Sequence, residues 1–147
     1  MIVTSLFGLF MGAVYESMLI GLRVTSTTDD RAEIVQQAAS VLERFVRDVN
    51  IADNVDAAQS ARFQFDTPPT NNINYVYSSG TLSRSNTVIL RNITAFDLNF
   101  FDSSGTQLAE PVPGASEDTI RLVQVSVTLT KDSETVSFAQ SAYLRNM

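Results

Sequence analysis

Apolar side chains fill the first 24 positions almost without interruption: MIVTSLFGLFMGAVYESMLIGLRV carries only Glu16 and Arg23 as charges. A helix through this run is about 36 Å long at 1.5 Å per residue, enough to cross the hydrocarbon core of a bilayer. The pattern therefore predicts a hydrophobic N-terminal helix over residues 1–24. A core helix buried on every side and a cleaved secretory signal are the alternatives, and the second lacks a basic residue ahead of the run. A carboxylate at the bilayer centre costs on the order of 2.5–3.5 kcal/mol on insertion scales, so Glu16 needs either a route to the interface or a partner in an assembly. Gly8 and Gly12 stand at small-xxx-small spacing with Ala13 beside them, which lets another helix approach closely. Gly8, Gly12, Ala13 and Glu16 are thus the candidate membrane and assembly positions.

From Thr25 the pattern changes. Ile34, Ala38, Val41, Leu42, Phe45, Val46 and Val49 recur at three- and four-residue steps, while Arg31, Glu33, Glu43, Arg44, Arg47 and Asp48 are placed on the other faces. This predicts an amphipathic helix over 25–56 whose apolar stripe, Val41, Leu42, Phe45 and Val49 above all, forms a helix–sheet core. No Pro or Gly separates Leu22 from Phe65. The two helices can therefore run on as one rod of roughly 50 residues, about 75 Å long. Thr28 and Asp30 offer the alternative of a freshly capped start.

Beyond Asp56 the period falls from 3.6 to 2. Phe63 and Phe65, then Ile73, Tyr75 and Tyr77, then Phe96, Leu98 and Phe100 alternate with polar residues, as half-buried strands do. TIRLVQVSVTLT (119–130) and ETVSFAQSAYLR (134–145) flank the short polar turn Lys131-Asp132-Ser133 and read as an antiparallel hairpin. In the first of these the apolar set moves from Ile120 and Leu122 to Val123, Val125, Val127 and Leu129, for which a bulge near Leu122 would account. Turns are marked by Pro68-Pro69, Ser79-Gly80, Asp102 to Gly105 and the loop Glu110 to Asp118. The expectation is an antiparallel sheet of about four to six strands within residues 62–146.

Composition narrows the chemistry. The 147 residues suit one domain, and sixteen acids against ten bases leave a net charge of -6, which argues against a protein that must neutralise nucleic-acid phosphates. There is no Cys and no His, so disulfides, zinc sites, thiol nucleophiles and imidazole bases are excluded. The carboxylate pairs Asp29-Asp30 and Glu117-Asp118 sit in polar segments with no apolar pocket to raise a pKa. Asp102 and the Glu110–Asp118 loop offer oxygen ligands for Ca²⁺, but the EF-hand spacing is missing, and Asp102 with Gly105 reads as a turn. The chain is expected to have no cofactor, no small-molecule substrate and no enzymatic activity.

Several segments carry a family resemblance. RAEIVQQAASVLERFVRDVNIA, with its Arg47-Asp48 pair, resembles the helix segment of minor pilins and J-type pseudopilins in the type IV pilin-like family. NYVYSSGTLSR resembles their hairpin of a tyrosine followed by Gly-Thr-Leu-x-Arg. LRNITAFDLNFFDSSG is similar to their N-[VI]-T-x-[FL]-x-[FL]-x-[FY]-[FY]-D-x-x-G strand and turn, and IRLVQVSVTLT and SAYLRN are similar to their final strands.

The resemblance implies an α+β fold in which a long N-terminal helix, half apolar and half amphipathic, packs on an antiparallel β-sheet, with residues 1–24 as membrane and filament-core segment and 25–147 as head. It implies a subunit anchored by a single transmembrane helix in a bacterial inner membrane, head on the periplasmic side. Such a subunit joins other pilin-like subunits, through helix–helix packing, in a type IV pilus or a type II secretion pseudopilus. The family's basic prepilin leader, its Gly before the cleavage point and its Phe-Thr-Leu-Ile-Glu start have no match here. Glu16 lies too deep to take the role of that glutamate, and the sequence reads either as the family's helix without its first residues or as a divergent member processed differently. A membrane-tethered, adhesin-like β-rich binding module that does not polymerise is the competing expectation. A passive tether needs only apolarity, whereas a filament subunit needs a helix face that docks on neighbours.

Overall fold

The computed structural model describes residues 31–69, 71–132 and 134–145. The apolar run 1–24, with Gly8, Gly12, Ala13 and Glu16, and the junction 25–30 lie outside the described residues. Among the described residues no helix is long and apolar enough to cross a membrane.

Residues 31–50 form a helix, α1, that buries Ile34, Ala38, Val41, Leu42, Phe45 and Val49 and exposes Arg31, Glu33, Glu43, Arg44 and Arg47. Asp48 breaks the expected pattern, because it lies on the buried stripe and is only 6% exposed. The helix closes with a tight last turn, the Ala52 N–H reaching the Val49 carbonyl at 3.1 Å. The Asp53 N–H then bonds the Asp66 carbonyl at 3.0 Å, so the chain leaves the helix already hooked to a strand.

Eight strands follow. The first sheet is an antiparallel meander, β1 (Asn54–Gln59), β2 (Arg62–Thr67), β3 (Asn71–Ser78), β4 (Thr81–Arg84) and β5 (Thr87–Leu90), in that spatial order. The second contains β6 (Ile93–Phe101), β7 (Leu122–Lys131) and β8 (Glu134–Tyr143), with a one-turn helix α2 (Gly114–Glu117) in the loop between β6 and β7. Two-residue loops make the tight corners. Ser79 (φ 49°) and Gly80 (φ 75°) join β3 to β4, and Ser85 (φ 47°) and Asn86 (φ 68°) join β4 to β5. Positive φ at both loop positions matches the right-handed twist of the flanking strands.

This corrects the expected fold class. The described chain is mostly β, eight strands in two antiparallel sheets, with helix over 31–50 and the one-turn α2 beside them, and is not a long N-terminal helix packed on one sheet. The physical reason is one of area. The strands carry more inward-facing apolar residues than one helical stripe can cover, so the sheets bury part of each other. Phe63 of the first sheet meets Phe100 of the second at a ring separation of 5.3 Å, and Tyr77 stacks on Phe96 at 5.1 Å. The helix covers the rest, with Phe45 edge-on to Tyr75 at 5.0 Å and tilted against Phe63 at 6.3 Å. All of these belong to one hydrophobic cluster.

Two further expectations change. Residues 54–56, read as helix, begin β1. A bulge between Val55 and Ala57 puts the buried Val55 and Ala58 three residues apart, a helical spacing inside a strand. The bulge expected near Leu122 is absent, since β7 pairs β8 in unbroken register from Leu122↔Tyr143 to Lys131↔Glu134. Ile120 is fully buried but precedes the strand, its N–H bonded to the Glu117 carbonyl at 3.2 Å, and this accounts for the change of face.

Phe45 is 2% exposed and touches rings on two strands. Phe45→Ala is expected to cost about 3–5 kcal/mol, the range for large-to-small substitutions of buried aromatics. Denaturant titration of the full chain measures it, and an unchanged midpoint would show that the helix does not share the core.

Candidate functional site

Among the described residues the one buried charged side chain, Asp48, lies where α1 crosses the first sheet. A carboxylate on a buried stripe must be hydrogen-bonded or neutralised. For Asp48 both happen at a single atom, as Oδ2 accepts from the Tyr75 hydroxyl at 2.8 Å and from the Arg84 Nε at 2.7 Å. Tyr75 is brought there by the period-2 alternation of β3, which points Ile73 and Tyr75 into the core. Arg84 closes β4, directly opposite Tyr75 in the strand register.

The electrostatics hold each group in one state. Burial, and then the hydrogen bond and negative charge of Asp48, push the Tyr75 phenol well above its ordinary range. Burial works against the Arg84 cation, but the Asp48 carboxylate more than offsets it and the guanidinium pKa rises. A phenol that keeps its proton beside a guanidinium that keeps its charge is a clamp, with no group free to shuttle a proton. Shallow bays lie on either side of the clamp. One is lined by Ser40, Val41, Arg44, Arg47 and Ile89, the other by Ile51, Thr67, Pro68, Asn72, Ile73 and Ser85.

Other candidates also resolve into architecture. Asp102 accepts from the Ser104 hydroxyl at 2.6 Å, the Ser104 N–H at 2.8 Å and the Thr106 N–H at 2.9 Å. These bonds, the Ser104 hydroxyl first, hold its carboxyl below the usual range and make the segment a turn. Glu117 is pushed up by partial burial and then by Asp56 and Asp118, and Glu110 by partial burial and then by Asp97. On the outer face of the first sheet the Asn72 amide donates to both Asp56 (2.8 Å) and Asp66 (3.1 Å), so an amide bridges the two acids. No group of three or more acidic side chains among the described residues is arranged to hold a metal ion.

The sequence-derived positions fall into two sets. Val41, Leu42, Phe45 and Val49 are all buried on α1 within the shared core, whereas Gly8, Gly12, Ala13 and Glu16 lie outside the described residues. Asp48, Tyr75 and Arg84 were not singled out as a site. The available signal was an acid three residues after Phe45 and one before Val49, inside an apolar stripe, which requires a polar partner from elsewhere in the chain.

Two of the segments that carry the family resemblance, the helix and the tyrosine hairpin, meet here. Asp48 follows Arg47, Tyr75 opens the tyrosine hairpin and Arg84 ends it. Gly80 of that hairpin abuts the Asn-Ile-Thr strand start. The Ile93 N–H bonds the Gly80 carbonyl at 3.0 Å, and a Cβ on Gly80 would meet the Ile93 carbonyl oxygen at 3.2 Å, in addition to the strain of its positive φ. Comparison with protein-family models, with curated proteins and with solved structures finds no match to this chain.

Two outcomes test the clamp. Asp48→Ala should destabilise the head by about 2–4 kcal/mol, because it leaves the partly buried Arg84 charge and the buried Tyr75 hydroxyl without their acceptor. Tyr75 binds its proton more tightly folded than unfolded. Its contribution to stability is therefore whole below the unfolded phenol pKa of about 10 and declines as pH rises beyond it. Urea midpoints followed into alkaline pH should fall less steeply in Tyr75→Phe than in the parent, and equal slopes would rule out the coupling.

Proposed function

We propose that the chain is a non-enzymatic minor pilin or pseudopilin subunit, held in a bacterial inner membrane by residues 1–24 with its head on the periplasmic side. From there it is built into, or starts, a type IV pilus or type II secretion pseudopilus. The observation that carries this reading is that the segments resembling minor pilins are contact partners. Asp48, Tyr75 and Arg84 share one carboxylate oxygen, and Gly80 packs on Ile93. Residues that a resemblance places far apart in sequence, and that prove mutually dependent in space, support common descent of the head better than any one motif does.

The absence of His and Cys from the chain supports a non-enzymatic role. So does the engagement of one oxygen each of Asp48 and Asp102 in structural hydrogen bonds. The partners of such a subunit are other pilin-like subunits, with no nucleic acid, cofactor or small-molecule substrate. The assembling surface is the apolar segment, where Gly8, Gly12 and Ala13 permit close helix contact and Glu16 needs an intersubunit partner or the interface.

Gly8→Leu combined with Gly12→Leu raises hydrophobicity and should leave membrane insertion intact while abolishing co-purification with pilin-like subunits. Crosslinking in cells that express the filament system measures it. Normal recovery of the double variant, or a native chain that never crosslinks to such subunits, would replace this reading with the tethered binding module.

A further inference from the structure

A strand at the edge of a sheet exposes unpaired N–H and C=O groups, and folded proteins blunt such edges with bulges, charges, short strands or covering segments. Among the described residues the two sheets end in four edges, β1, β5, β6 and β8. Three are blunted. β1 carries a bulge with the charged Asp56 in it, and it is overlaid by the loop of α2, whose Val112 N–H bonds the Ala58 carbonyl at 3.0 Å. β5 is only four residues long. β6 has a bulge between Ile93 and Ala95 and the charge of Asp97, and its far end is taken by the Leu108 N–H on the Phe100 carbonyl at 2.8 Å.

Among the described residues β8 has no bulge and no covering segment, and its one charge, Glu134, stands at its first position. It is ten residues long and in unbroken register with β7, and from Thr135 to Tyr143 it contains no charge, no Pro and no Gly. Its outward residues Thr135, Ser137, Ala139, Ser141 and Tyr143 are exposed, Tyr143 to 62%. Its inward Val136 and Phe138 are only half-buried, so the core on this side stops one strand short of full cover.

We propose that the free edge of β8 pairs antiparallel with β8 of a second copy of this chain, joining two three-stranded sheets into one of six strands across a two-fold axis. The outward pattern Ser137-x-Ala139-x-Ser141 is palindromic. With the axis at Ala139, that residue faces its own copy, Ser137 faces the partner's Ser141, and Thr135 faces the partner's Tyr143. On the inward side Phe138 faces the partner's Gln140 and Val136 the partner's Ala142. No charge opposes a like charge at any of these pairs. The contact is isologous and therefore closes as a dimer, which separates it from helix-mediated polymerisation.

The absence of Cys makes the register directly testable in the full chain in detergent micelles. Directly facing residues have Cα atoms within disulfide range, so oxidised Ala139→Cys should form a linked dimer, and Ser103→Cys on the exposed turn should not. Ser137→Cys and Ser141→Cys should each stay unlinked alone, because like positions then lie about 13 Å apart along the strands, but should link when mixed. Light scattering should report a dimer in the parent and a monomer in Ala139→Lys, with an unchanged circular dichroism spectrum to show that the variant is folded. Ala139→Cys linking no better than Ser103→Cys would overturn the proposal. So would an Ala139→Lys variant that stays dimeric, which would assign association to the apolar segment instead.

Discussion

Asp48 Oδ2 accepts from Tyr75 and Arg84 at once, and this pair of bonds is what permits an acid to lie on the buried stripe of α1. It also fixes the helix about its axis. Turning α1 by one residue is a rotation of about 100°, which would carry Asp48 away from both donors and leave two polar groups on the sheet without an acceptor. With the rotation set, Phe45 stands over Tyr75 and Phe63, Phe63 over Phe100, and the contact passes from helix to first sheet to second. A purely apolar stripe could slide or turn at low cost. The buried acid makes one seating better than its neighbours.

Much of this was legible in the residue pattern and some was not, for identifiable reasons. The stripe Val41, Leu42, Phe45 and Val49 obeys helical spacing, and Phe63, Phe65, Ile73, Tyr75, Leu98 and Phe100 obey strand spacing; all are buried. The β7–β8 hairpin is a local structure with a local turn. β1 was missed because its bulge gives Val55 and Ala58 a helical interval. β5 was missed because its turn, Ser85-Asn86, has no Gly or Pro, and Asn supplies the left-handed conformation instead. The division into two sheets depends on which strands face each other, and alternation within a strand has no information on that.

The polar junction is harder still to read, since it joins residues 48, 75 and 84 from three elements. Asp48 was set with the charged residues of the other helix faces, among them Arg44 and Arg47, which are exposed, yet Asp48 lies on the buried side. Helical spacing at position 48 is compatible with the edge of either face. The side chain's partners decide which, and they come from β3 and β4. The polar residues of this chain that look most like chemistry are in this sense positional: they set which element meets which.

The layout of the first sheet also bears on how the chain reaches its fold. β1 to β5 pair only with strands adjacent in sequence, through loops of a few residues, so residues 54–90 form from local contacts. β7 and β8 are equally local, whereas β6 must wait for β7 across the whole segment 102–121. Synthesis delivers the N-terminal part first, and local pairings form fastest. The five-stranded meander can thus offer Tyr75 and Arg84 to Asp48 while the second sheet is still incomplete. Closure of β6 on β7 is the least local of these pairings, and until it happens the Phe63 ring has α1 and Phe65 of its own strand, but not Phe100, to shelter it.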